Sequence, residues 1–304
     1  MGHEHHNHTV RGQRLFWTVV LNAGISIAEL IGGIVSGSMS LISDALHNFS
    51  DVLSLIISYV ANLLSRKAAT DKKTYGYRRS EILSAFINSA TLIVLAIFIL
   101  YEAVLRFFTN VQIAPDLVIW LALGSIFVNG LSVLFIHKDS QDNINMKSAY
   151  LHLFGDMLTS IAVLIGGILM KYMHIYWIDA FFSILIAIYL ITMSWSIFKE
   201  SLQIIMQFTP EGIDIDIIVK EICKIQGVKN IHHVHVWKID EHEIMFEAHV
   251  DLIDNCNITD FERILNEIGK VLAKYRIKHY TIQPEYSVID NKSIIYKQFK
   301  GEIL

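Results

Sequence analysis

Leu46-His47-Asn48-Phe49-Ser50-Asp51-Val52-Leu53-Ser54 is the stretch on which the reading of this chain turns. It returns as Leu151-His152-Leu153-Phe154-Gly155-Asp156-Met157-Leu158-Thr159. Both copies follow Leu-His-x-Phe-x-Asp-x-Leu-Ser/Thr, and both sit inside long apolar runs. A His and an Asp at i and i+4 project from the same face of a helix. Two such helices side by side bring His47, Asp51, His152 and Asp156 to one point. That is a tetrahedral set of two nitrogens and two oxygens, and Zn2+ is the ion that takes it most readily.

Working outward, the composition says what kind of body holds these helices. The chain has 304 residues, of which 53% are hydrophobic and only 18% charged. A soluble domain is nearer about a quarter charged, so this is the composition of a membrane protein. A net charge of −4 is too slight to argue for nucleic acid, and only 3 Pro suit long uninterrupted helices. Cys223 and Cys256 form neither a disulfide framework nor a CxxC pair and read as ordinary buried thiols. The polar, His-rich start shows no cleavable signal peptide.

Residues 1–14 form a cytoplasmic tail carrying His3, His5, His6 and His8. It is either a plain flexible tail or a weak zinc-scavenging arm, since short His-rich tracts bind metal. Six apolar segments follow, over 15–36, 40–64, 82–107, 116–137, 147–171 and 176–199, each near the ~20 residues a span needs. Arg66, Lys67, Lys72, Lys73, Arg78 and Arg79 lie between spans two and three. Arg11 and Arg14 precede span one, and Lys138 and Lys147 lie between spans four and five. The opposite loops hold almost no basic residue, so the positive-inside rule puts both termini in the cytoplasm. Span two then runs outside to inside and span five inside to outside. The two halves have opposite orientation, as inverted-repeat transporters do.

Other polar residues fall inside the spans: Asn22, Glu29, Asp44, Asn88, Glu102, Asn129 and Asp179. A carboxylate at the bilayer centre costs roughly 2.5–3.5 kcal/mol on insertion scales and needs a partner. Asn22, Asn88 and Asn129 read as interhelical hydrogen-bonding groups. Asp44, His47 and Asp51 share one helix face.

From about Ser201 the character changes, and Thr209-Pro210-Glu211-Gly212 marks a boundary. The expected division is a tail at 1–14, a six-helix transmembrane domain over 15–208 and a cytoplasmic domain over 209–304. In the last, residues 213–226 have helical spacing. Strands are expected over 230–238, 243–251 and 277–284, with a turn at Asp240-Glu241. A helix begins at a capping box, Thr259-Asp260-Phe261-Glu262. The order α-β-β-α-β is that of a small metallochaperone-like α+β fold. Ile244, Phe246, Ala248, Val250 and Leu252 are expected to face the core, with Glu243, Glu247, His249 and Asp251 outward. His233, His235 and Trp237 share one face of the preceding strand and His232 takes the other.

These residues resemble the cation diffusion facilitator family, in its zinc-transporting branch. The matching words are Ser43-Asp44-Ala45-Leu46-His47 with Asp51, and Tyr75-Gly76-Tyr77-Arg78-Arg79-Ser80-Glu81-Ile82. Further along come Leu151-His152 with Asp156, Trp177-Ile178-Asp179, His232-His233-Val234-His235-Val236-Trp237, and Thr281-Ile282-Gln283-Pro284-Glu285. The resemblance implies a homodimer of six-helix protomers in the cell membrane that exports Zn2+ in exchange for H+. It implies His47, Asp51, His152 and Asp156 as the transport site, with the His at 47 accompanying a preference for zinc over cadmium. It places a second, cytoplasmic zinc site on His232, His249 and Glu285. Strand alternation alone does not bring His232 and His249 together, and His233 or His235 could stand in. Some members hold a metal in the loop between spans two and three through Asp and His. The corresponding Asp71, Lys73 and Tyr77 include two non-ligands, so that site is expected to be absent. An intramembrane zinc enzyme would keep an open coordination position and a general base, whereas here the protein supplies all four ligands. Mn2+ and Fe2+ prefer more oxygen, so the two His favour zinc. The partners expected are lipid, a second copy of the chain and divalent metal ions, with no nucleic acid.

Overall fold

The structure is a computed structural model that describes the backbone of residues 5–109, 112–137, 144–289 and 291–295; side chains are described except at 1–19, 55, 110–111, 135–149, 151–152, 290 and 296–304. The order is α1 (His5–Ser36), α2 (Met39–Ser65), α3 (Ser80–Phe107), α4 (Pro115–His137), α5 (Ile144–Met173), α6 (Trp177–Ile205), α7 (Ile215–Ile222), β1 (Val228–Lys238), β2 (Ile244–Leu252), α8 (Ile258–Lys274) and β3 (Ile277–Glu285). Two compact units result: Met1–Val60 with Ser84–Phe198, and Ala61–Leu83 with Lys199–Leu304.

Among the described residues, α2 to α6 are each long and apolar enough to cross a membrane, and α1 adds a shorter apolar stretch, Val20–Ser36. The helices turn large apolar side chains such as Ile34, Val35, Phe98, Trp120 and Phe127 outward. Their interior is mixed. Leu41, Val118, Val163, Met170 and Leu190 form an apolar cluster, while Ser26, Glu29, Asp44, Ser125, Asn129 and Ser160 are buried beside it. Apolar outside and polar inside is the distribution lipid selects, because only the bundle interior offers polar groups partners. Helix α4 packs on α5 and α1. The approach to α5 needs Gly167: a Cβ there would lie 3.0 Å from Ile119 Cγ1 and 3.5 Å from the Ile119 amide nitrogen.

Gly37, at φ +75°, breaks the chain between α1 and α2. The start of α2 is then capped from another helix. Asp179, at the first turn of α6, accepts from Ser38 Oγ (2.6 Å), the Met39 amide (2.7 Å), the Ser40 amide (3.2 Å) and Ser40 Oγ (2.5 Å). The orphan donors of a helix N-terminus are satisfied, and the Asp179 charge is compensated inside the membrane unit. Glu102 is compensated by Arg106, one turn on at 3.2 Å, which also donates to the Gly37 carbonyl at 2.7 Å.

In the second unit the sheet order is β1-β2-β3, with β1 and β2 antiparallel and β2 and β3 parallel. Helix α8 makes the crossover and packs on β3 and α7. Ile218, Ile222, Ile231, Phe246, Ala248, Ile264, Ile268, Leu272 and Ile277 form its core. The elements follow the expected α-β-β-α-β order, with local corrections. Helix α8 is capped by Asn257, whose side chain accepts from the Asp260 amide at 2.9 Å, not by a box beginning at Thr259. Asp240 Oδ1 closes the hairpin by accepting from the amides of His242 and Glu243 at 2.9 and 2.8 Å. On β2, Asp251 lies on the His249 face, away from the apolar core as expected, but it is buried there in a polar cluster rather than exposed. Cys223 and Cys256 are half-buried rather than buried.

The segment Ala61–Leu83 belongs to this unit. Glu81 Oε1 accepts from Asn62 Nδ2 and Ser65 Oγ at 3.0 and 2.7 Å, which fixes the entry to α3. Arg78 pairs with Glu243, next to β2. Lys73 donates to the Tyr77 hydroxyl and lies 4.0 Å from the Tyr77 ring centroid, which holds that phenol below its usual range.

Candidate metal sites

The helix α2 carries His47 and, one turn on, Asp51. The helix α5 carries Asp156. The imidazole of His47 lies between the two carboxylates: Nδ1 is 3.5 Å from Asp51 Oδ2, and Nε2 is 3.3 Å from Asp156 Oδ1. One donor atom from each of the three falls within 4.8 Å of the others, the span a single ion needs. His47 and Asp156 are buried and Asp51 is half-buried. His152 stands one turn before Asp156 on α5, but its side chain lies outside the described residues. The Tyr189 ring on α6 lies nearly perpendicular to the His47 ring, with centroids 6.4 Å apart.

What holds α2 against α5 here is Asp44, one turn before His47. It is fully buried and accepts from Thr159 Oγ1 at 2.7 Å and Ser160 Oγ at 2.9 Å. Ser160 in turn lies 2.9 Å from Ser125 on α4. Each hydroxyl also reaches back to the Asp156 carbonyl, at 2.8 and 3.0 Å. Asp44 therefore fixes the α5 turn that presents Asp156, as a residue behind a ligand does in metal sites. Sequence places Asp44 on the His47 face but does not name its partners. The signal was present: the repeated motif ends in Ser or Thr, and Thr159 is that residue. Asn48 Nδ2 sits 3.5 Å from Glu29 Oε2, which links α2 to α1.

The second constellation is built by strand register. Antiparallel pairing sets His232 directly across from His249, and parallel pairing sets Asp251 beside Glu285. His249 Nδ1 approaches Glu285 Oε1 at 2.7 Å, and His232 Nε2 approaches Glu285 Oε2 at 3.4 Å. His232, His249 and Glu285 again offer donors within 4.8 Å of one another. Two imidazoles and a carboxylate are zinc-type ligands, so these residues fit that ion. Alternation along β1 does not reveal this pairing, because the strand bulges between His232 and His235, with His233 at φ 51°. The bulge turns His233 to stack on His249 (centroids 4.8 Å, 11°), with His235 4.9 Å from His233. Neither joins the three-donor set. Burial, with His235 and His249 nearby, holds the His233 imidazole below its usual range.

Sequence reading missed two residues at this site. Asp251 Oδ2 lies 3.4 Å from His232 Nδ1, which leaves Nε2 to face Glu285. Lys292 Nζ lies 2.8 Å from Asp251 Oδ1, 2.9 Å from Glu285 Oε2 and 3.5 Å from His232 Nε2. Asp251 could have been grouped with His249 from its i+2 position on the strand. Nothing in the sequence marks Lys292.

Residues 15–206 match the cation efflux transmembrane domain, and residues 210–287 match the cytoplasmic domain of cation efflux proteins. A Bacillus subtilis protein named "Cadmium, cobalt and zinc/H(+)-K(+) antiporter" is 34% identical, over 99% of this chain and 97% of its own length. A "Zinc transporter ZitB" from Pectobacterium atrosepticum is 32% identical over 98% and 93%. The "Metal cation efflux system protein CzcD" of Cupriavidus metallidurans is 31% identical over 93% and 90%. These relatives are named for transport and not for catalysis. Apolar helices closing on buried His and Asp, followed by a small His-bearing α+β domain, are thus the parts of a transporter rather than an enzyme, and the chain belongs to the cation efflux family.

Proposed function

We propose that this protein exports Zn2+ from the cytoplasm in exchange for protons, by alternating access at a site formed by His47, Asp51, His152 and Asp156. The observation that carries the reading is the placement of the His47 imidazole between carboxylates from two helices inside the membrane unit. Two carboxylates balance the charge of a divalent cation, and imidazole nitrogens complete a tetrahedron, so the loaded site is neutral where net charge is costly. Once zinc leaves, Asp51 and Asp156 face each other in a medium that disfavours like charge. Protonation of one or more ligands relieves this. Ligands bind metal deprotonated, so zinc entry expels those protons. Competition for one site is enough to couple the two fluxes. Asp44, through Thr159 and Ser160, keeps Asp156 presented to α2 in each cycle.

Residues 15–208 act as the transport domain, after the 1–14 tail. Residues 209–304 form a cytoplasmic domain through which two copies pair. The protein spans the cell membrane with both termini in the cytoplasm. His232, His249 and Glu285 hold a regulatory zinc. Bound there, it supplies a cross-link between strands, and the chain's part is to offer three donors on a rigid sheet whose occupancy biases the transport equilibrium.

Metal uptake into inside-out vesicles energised by a proton gradient tests the reading. Vesicles containing the protein should accumulate zinc, and a protonophore should stop the accumulation. Accumulation that ignores the protonophore contradicts proton coupling.

A further inference from the structure

The chain past β3 turns back onto the sheet. The His233 amide donates to the Ser293 carbonyl at 3.2 Å, and the Val234 amide to the Ile294 carbonyl at 2.8 Å. Residues 293–294 thus lie along the bulged part of β1. Asn291 stiffens the turn before them: its Oδ1 accepts from the Ser293 amide at 2.9 Å and from Ser293 Oγ at 2.6 Å. This strap lies beyond the stretch that matches the family's cytoplasmic domain, which ends at 287.

Lys292 sits in the middle of the strap, and its ammonium is delivered into the acidic end of the cytoplasmic cluster. It bonds Asp251 Oδ1 (2.8 Å), Glu285 Oε2 (2.9 Å) and His232 Nε2 (3.5 Å). Glu285 Oε2 and His232 Nε2 are a facing pair, 3.4 Å apart, of the three-residue donor set. Glu285, Asp251 and His232 are buried and Lys292 is half-buried. A lysine side chain usually keeps its ammonium in water. One aimed at two buried carboxylates and an imidazole nitrogen has the position and charge of a bound cation.

We propose that Lys292 is an internal competitor for the cytoplasmic metal site: its ammonium and a divalent cation use the same donors and bind in turn. The inference rests on reading His232, His249 and Glu285 as a zinc site. The competition has a simple consequence. The site's affinity is set by the difference between the ion's interaction with the donors and that of the lysine it displaces, so the lysine raises the zinc concentration at which the site fills. A sensor tuned this way responds to excess zinc rather than to traces. Asp251 serves both states, holding the ammonium in one and orienting His232 in the other.

The test is Zn2+ binding to the full-length protein in detergent, titrated against a chelator of known affinity. Native, Lys292→Met and Lys292→Gln proteins are each compared with the same protein carrying His249→Ala, which isolates this site from other zinc-binding groups. Both Lys292 variants should bind zinc at this site roughly ten- to hundredfold more tightly, the equivalent of a lost charge-assisted hydrogen bond. The gain should vanish in the His249→Ala background. Unchanged or weaker zinc binding in either variant overturns the competition and makes Lys292 a support for the ligands. A native protein that His249→Ala leaves unaltered removes the site itself, and the proposal with it. Comparing native with His249→Ala alone tells these failures apart.

Discussion

His47 on α2 and Asp156 on α5 meet at 3.3 Å, Nε2 to Oδ1, while His47 Nδ1 faces Asp51 from the opposite side. One imidazole is thus shared between two carboxylates that would otherwise confront each other inside the membrane unit. In the proposed site, losing either carboxylate would remove a ligand and half the charge that balances a divalent ion. Asp51→Ala should lower zinc transport by more than the roughly 10–100-fold typical of outer-shell changes. Initial uptake rates in vesicles check this, and near-native rates would remove Asp51 from the site.

Exchanging nitrogen for oxygen at His47 should alter which metals pass. His47→Asp removes the imidazole that the family resemblance ties to preference for zinc over cadmium, and cadmium transport should rise relative to zinc. Paired zinc and cadmium uptake assays read the ratio. Continued exclusion of cadmium would place selectivity elsewhere.

Asp44 binds no metal in this scheme but anchors Thr159 and Ser160. Asp44→Ala should weaken zinc binding at the membrane site by about 10–100-fold. Thr159→Val, which removes the hydroxyl shared between Asp44 and the Asp156 carbonyl, should cost roughly 1–3 kcal/mol of stability. Zinc titration and thermal unfolding of the two variants separate the effects, and full zinc affinity in Asp44→Ala would deny it a positioning role.

Asp179 accepts four hydrogen bonds from the start of α2. Asp179→Ala removes a helix cap worth about 0.5–2 kcal/mol and strands buried donors besides. Its melting temperature in detergent should fall clearly, and Asp179→Asn should fall less. An unchanged melting temperature would mean that the cap adds little.

The cytoplasmic domain carries an acid-sensitive clasp. Hydrogen bonds from Lys274 and Tyr275 hold the Glu221 carboxyl below its ordinary value of 4.5. A carboxylate with a lowered folded-state pKa contributes stability above its unfolded value and loses it as pH falls through the folded one. Native stability should therefore drop more steeply below pH 4.5 than that of Glu221→Gln. The carboxyl is partly open to solvent, which keeps the effect small. Identical acid limbs in the two proteins would remove Glu221 from the acid response.

Features encoded locally were legible in the sequence. His-x-x-x-Asp within an apolar run points to a helix and to one face of it at once, so α2 and α5 could be paired from sequence alone. Features encoded by distant contacts were not. Asp179 reads as a costly membrane carboxylate until the start of α2 arrives to use it. His232 and His249 meet through a register and a bulge at His233 that alternation cannot reveal. Both Asn257 and Thr259 have cap chemistry, and only the backbone shows which begins α8. Lys292 has no motif at all, because its role comes from where the strap lands.

The most direct measurement is zinc flux in proteoliposomes under an imposed pH gradient, comparing native protein with Asp156→Ala. Gradient-driven zinc uptake by the native protein that is lost in the variant is expected from an intramembrane site shared by zinc and protons. Equal gradient-driven uptake by both would contradict the site. An absence of flux in the native protein, with zinc still bound at the cytoplasmic cluster, would contradict transport itself.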